Sequence, residues 1–86
     1  MPGDSEHNEL HIASLVVWIR GTVRAVEERI RTFDWAELPY ASERGRTVVV
    51  LEALDQQTLY QRIEALRQLP GVLDAQLVYH HSDATP

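Results

Sequence analysis

A chain of 86 residues, 44% hydrophobic and 24% charged, suits one globular domain and leaves no room for a second. The absence of cysteine removes disulfides, thiolate catalysis and most zinc sites. A net charge of -5, with every basic residue an arginine, weighs against a nucleic-acid partner.

The polar, acidic start, MPGDSEHNEL, lacks the basic and apolar regions of a secretory signal. No run approaches the ~20 apolar residues of a membrane span. The expectation is a soluble cytoplasmic protein with a polar flexible arm over residues 1–10, a folded domain over 11–81 and a flexible tail over 82–86.

His11 to Ile19, HIASLVVWI, reads as a strand with apolar side chains on both faces. Arg20 and Gly21 break it. Thr22 then caps a helix with Val23, Val26, Ile30 and Phe33 on one side and Arg24, Glu27, Glu28 and Arg31 on the exterior. Trp35 to Ala41, WAELPYA, is a weak strand, and Pro39 assigns it to a sheet edge because proline cannot donate to a ladder. SERG, Ser42 to Gly45, turns the chain into Arg46 to Glu52, RTVVVLE, a β-branched strand suited to the sheet centre. Asp55 caps a second helix carrying Leu59, Ile63 and Leu66 at helical spacing, with Gln57, Arg62 and Arg67 outward. Leu69, Pro70 and Gly71 stop it, and Val72 to His80 forms the last strand.

The order βαββαβ with right-handed crossovers predicts an α+β, ferredoxin-like sandwich: a four-stranded antiparallel sheet, order 4-1-3-2, with both helices on one face. Two helices cover one side of a sheet. Leu15, Val17 and Ile19, with Leu73, Ala75, Leu77 and Tyr79, are expected beneath them. Ile12, Ser14, Val16 and Trp18, with Asp74, Gln76, Val78 and His80, are expected on the uncovered face. The run Val48 to Leu51 does not declare its faces, but Glu52 is costly to bury and would carry Val48 and Val50 outward with it.

An apolar face left open to water marks a binding surface. Burying Ile12, Val16, Trp18, Val48, Val50 and Val78 would remove on the order of 400 Å² of apolar area, worth roughly 10 kcal/mol before ordering costs. Periodicity leaves two occupants open, a foreign partner or a second copy.

Catalytic motifs are missing: no GxSxG, HExxH, P-loop or GxGxxG string occurs, so no enzyme activity and no cofactor are expected. Four histidines, His7, His11, His80 and His81, invite a metal reading, with neighbouring strands bringing His11 toward His81. The adjacent pair His80 and His81 faces opposite sides, His7 lies in the arm, and no second-shell carboxylate is evident, so no metal site is expected. Aromatic stacking on RNA bases, known on sheets of this shape, is opposed by the acidic balance and the lack of lysine.

The strings HIASLVVWI, RTVVVLEA and PGVLDAQLVYHH together resemble the NapD family over about residues 11–81. The resemblance implies a ferredoxin-type chaperone that binds the twin-arginine signal peptide of NapA, the catalytic subunit of the periplasmic nitrate reductase, and restrains export until cofactor insertion. Peptide docking implied by the family then falls on the open-face members of Ser14–Val17 and Leu77–His80. A signal that is basic and then apolar suits an apolar sheet with acidic margins: Ile12, Val16 and Trp18 are expected against its apolar side, Glu52 and Asp74 against its arginines. The expected peptide-binding set is Ile12, Ser14, Val16, Trp18, Val48, Val50, Glu52, Asp74, Gln76, Val78 and His80, on a monomer or weak dimer. The alternative is a regulatory domain that pairs with a second copy to hold a small molecule, with Gly21 in the loop after the first strand.

Overall fold

The structure is a computed structural model that describes residues 9–84. Its elements are β1 (Glu9–Ile19), α1 (Val23–Arg31), β2 (Ala36–Glu37), β3 (Arg46–Ala53), α2 (Gln56–Arg67) and β4 (Val72–Ala84). They form one four-stranded sheet in the order β2-β3-β1-β4, antiparallel throughout, which is the ferredoxin-like arrangement expected from the element order. The β-branched strands β1 and β3 occupy the centre, where both of their edges are paired. β2 is only two residues long and ends before Pro39. Proline removes the next ladder donor and biases Leu38 as well, so the seven-residue strand expected over residues 35–41 does not form.

Both helices bury an apolar stripe against the same sheet face. Val26 and Ile30 from α1 join Leu59, Ile63 and Leu66 from α2 over Ala13, Leu15, Val17, Ile19, Val49, Leu51, Ala53 and Ala75. Asp55 caps α2 through its side chain, which accepts from the Thr58 backbone N–H at 2.7 Å and from the Thr58 hydroxyl at 3.0 Å. Thr22 occupies the corresponding position of α1 but makes no side-chain cap bond. Glu27, expected on the helix exterior, is half-buried instead. Its carboxylate accepts from Ser42, which also bonds Thr47 Oγ1 at 2.8 Å. This polar link ties α1 to the start of β3 and satisfies the buried Thr47 hydroxyl.

Gly71 makes the close approach between α1 and the turn into β4. Its φ of +90° lies in the left-handed region, and a Cβ there would meet Val26 Cγ2 at 2.8 Å and the Arg20 carbonyl oxygen at 3.4 Å.

The outer strands run further than the periodicity indicates. Glu9 and Leu10, placed in the arm from sequence, pair with Ala84 and Asp83, so Ser82 to Ala84 belong to β4 rather than to a tail. The remainder of the expected arm and tail, residues 1–8 and 85–86, lies outside the described residues.

The larger correction concerns β4, whose register against β1 shifts twice. Trp18 faces Asp74 while Ile19 faces Val72, leaving Leu73 as an extra residue; Leu15 faces Leu77 while Ser14 faces Tyr79, leaving Val78 extra. Each bulge reverses the alternation beyond it. Leu73 is therefore 61% exposed and not beneath the helices, and Val78, 58% exposed, sits at a bulge and not in the open-face row. Tyr79 crosses to the open face, opposite Ser14, and His80 crosses to the helix side, opposite the fully buried Ala13.

Candidate functional site

Register and burial together define the face that the helices leave uncovered. Across the sheet its rows run Arg46–Trp18–Asp74, Val48–Val16–Gln76, Glu37–Val50–Ser14–Tyr79 and Glu52–Ile12–His81. Along β3 the buried residues are Thr47, Val49, Leu51 and Ala53, while Val48 and Val50 are half-buried and Glu52 is exposed, so the carboxylate carries both valines outward as expected. The middle of the face is apolar. Ile12, Val16, Val48 and Val50 are half-buried by one another and by neighbouring strands, and Trp18 is 37% exposed.

One wall comes from the segment between β2 and β3. Tyr40 and Ala41 stand beside Val16, Val48 and Arg46 around a pocket of about 260 Å³. This wall exists because β2 stops early: residues 38–42 pair with no strand, and pairing resumes at the Glu43–Arg46 bridge. A second hollow of about 170 Å³ lies at the opposite corner, where Asp34, Glu37 and Glu52 surround Ile12, Trp35 and Val50.

The charges of the face are arranged unevenly. Arg46 is held by Glu43 at 3.0 Å, and its guanidinium lies over the Trp18 ring at 5.7 Å. Asp74, expected as a free acid for a peptide arginine, lies 3.7 Å from Arg67, which reaches round the sheet edge from α2 and donates twice to the Ala75 carbonyl oxygen. That contact also occupies an acceptor on the free edge of β4. By contrast, none of the ion pairs among the described residues uses Asp34, Glu37 or Glu52. Arg62 is nearby but engaged from the helix side, over the Trp35 ring at 5.3 Å and hydrogen-bonded to the Glu52 carbonyl oxygen.

Of the eleven residues expected to bind peptide, nine occupy this face: Ile12, Ser14, Val16, Trp18, Val48, Val50, Glu52, Asp74 and Gln76. Val78 is the unpaired bulge residue and stands in none of these rows, and His80 lies on the helix side. His80 stacks on His11 with their ring nitrogens 3.0 Å apart; His11 is only 5% exposed while His80 remains exposed, on the helix side of the sheet. The neighbour-strand argument that brought His11 toward His81 fails for the same reason, since His81 lies across the sheet stacked on Tyr79. Among the described residues, no three metal-binding side chains converge. Tyr79, His81, Glu37 and Arg46 are members of the face that periodicity missed. For Arg46 and Glu37 the register of a hairpin was the available signal; for Tyr79 and His81 only the bulge at Val78 decides, and it leaves no mark in the alternation.

The family model described as NapD protein matches residues 10–84. The chain is 33% identical over 79 residues to the chaperone NapD of Escherichia coli K12, covering 90% of this chain and 91% of that one. It is 30% identical over 77 residues to the chaperone NapD of Haemophilus influenzae, covering 85% and 81% respectively. The solution structure of the E. coli Tat proofreading chaperone protein NapD superimposes with a TM-score of 0.78 at 34% identity, covering 87% of this chain and 81% of that one.

Proposed function

This chain belongs to the NapD family of chaperones, and from that premise we propose that it binds the twin-arginine signal peptide of NapA, the catalytic subunit of the periplasmic nitrate reductase, and holds that precursor back in the cytoplasm until its cofactor is inserted. The observation that carries the reading is the uncovered sheet face. Both helices lie on one side, and the other presents Ile12, Val16, Val48, Val50 and Trp18 between polar margins. A signal that is basic and then apolar matches such a surface in both respects.

The restraint follows from mass action. A signal peptide covered by the chaperone is not available to the export machinery, and the free fraction falls as 1/(1 + [chaperone]/Kd). No covalent chemistry is required of the chaperone. Its work is to cover the peptide's arginines and apolar stretch reversibly, so that the precursor returns to the export route when the chaperone dissociates.

Isothermal calorimetry of the protein with a synthetic NapA signal peptide tests the proposal, together with amide chemical-shift mapping. One-to-one binding with shifts at Ser14, Val16, Trp18, Val48 and Val50 is the expected result. An obligate homodimer indifferent to the peptide, or shifts confined to α1 and α2, would refute it; the first of these outcomes would favour a small-molecule regulatory domain.

A further inference from the structure

The two ends of the uncovered face are electrostatically unlike, and this gives a bound peptide a direction. At the Trp18 end the two charged members of the face are already paired within the chain, Arg46 with Glu43 and Asp74 with Arg67. At the Ile12 end Glu37 and Glu52 stand on the face with Asp34 beside them, and no ion pair among the described residues engages these three carboxylates. Between the ends lies the apolar middle, Val16, Val48 and Val50, walled by Tyr40.

Resting on the docking reading above, we propose that a basic-then-apolar peptide lies with its arginines at the Glu37–Glu52 corner and its apolar segment running toward Trp18, so that it points in the same direction as β1. Glu52 and Asp74 cannot both serve a pair of adjacent arginines. They lie at opposite ends of the face, separated by the six residue steps from Ile12 to Trp18, about 20 Å along a strand. A choice between them is forced. Asp74 already faces Arg67, so an incoming guanidinium there would compete with an existing cation, and Arg46 in the same row would repel it. At the Glu37–Glu52 corner, the nearby cation Arg62 leaves three carboxylates without an ion-pair partner, and arginine is the side chain whose planar fork suits carboxylates best. The ~20 Å from corner to Trp18 accommodates about 13 residues as a helix at 1.5 Å per residue. That is a suitable length for an apolar segment.

The test uses the ¹⁵N-labelled protein and a synthetic peptide of two adjacent arginines followed by about 12 apolar residues, matched to that span, with a nitroxide at one end or the other. Docking parallel to β1 requires that the N-terminal label broaden the amides of Ile12, Val50 and Glu52, and that the C-terminal label broaden those of Trp18 and Arg46. The reverse pattern, with the peptide still on the sheet, overturns the direction and leaves the docking surface standing. No binding, or broadening confined to the helices, overturns the docking reading and the direction with it. The double variant Glu37→Gln, Glu52→Gln provides an independent arm: affinity at low salt should fall at least ~10-fold and become nearly insensitive to ionic strength. Unchanged affinity and unchanged salt dependence would also overturn the assignment.

Discussion

Leu15 and Val16 are adjacent in β1 and point to opposite faces, so the same substitution at each isolates what the two faces do. Leu15 is fully buried beneath the helices. Truncating such a leucine costs about 2–5 kcal/mol, and a carboxyl group left there without a partner adds about 1–3 kcal/mol. A domain of 86 residues, at about 0.05–0.15 kcal/mol per residue, has roughly 4–13 kcal/mol to lose. Leu15→Asp should therefore be largely unfolded. Val16 lies on the uncovered side in a row with Val48 and Gln76, half-buried, where a carboxylate still reaches water. Val16→Asp should cost about 1 kcal/mol in lost strand preference, a fall in Tm of about 4–8 °C. Peptide affinity should meanwhile drop by roughly 2 kcal/mol, about 30-fold, because docking would strip water from the new charge. Circular dichroism melts followed by calorimetry with the signal peptide read both quantities. A Leu15→Asp protein that melts like the parent, or a Val16→Asp protein that folds and binds unchanged, would show that the two faces are exchanged or that the uncovered one does not dock peptide.

Trp18→Glu keeps the fold, because the residue is partly solvent-exposed outside the core cluster, and weakens peptide binding by more than ~1 kcal/mol, about 5-fold by titration calorimetry. Gly71→Ala destabilises by about 1–2 kcal/mol from the left-handed backbone alone, and by more as the new methyl pushes Val26 from 2.8 Å; urea denaturation measures it. Asp55→Ala removes the cap of α2 and should cost about 0.5–2 kcal/mol in the same assay, with peptide affinity unaltered. If Asp55→Ala instead abolishes peptide binding while remaining folded, the face opposite α2 is not the docking surface.

Much of this architecture was legible in the chain because local patterns and global topology agree. The β-branched strings of β1 and β3, the capped stripe of α2 and the position of Pro39 each specify an element or its place in the sheet by short-range sterics and hydrogen bonding. The order βαββαβ then admits few sheets, given right-handed crossovers. Even the ambiguous run Val48–Leu51 yielded its faces, since one carboxylate at Glu52 is too expensive to bury and the period of two transmits that preference along the strand.

What the sequence determined by itself was thus the element order, the sheet, the helix stripes and the existence of an uncovered apolar face. Tertiary structure alone decided which side chains of β4 join that face, since bulges at Leu73 and Val78 reverse the alternation and put Tyr79 on the open face and His80 on the helix side against His11. It also decided which charges are available, because Arg67 meets Asp74 and Arg46 meets Glu43, while Glu37 and Glu52 share a corner through strand pairing. The physical reason is range: periodicity records a strand's own alternation, whereas register shifts and ion pairs depend on the neighbour against which the strand is laid.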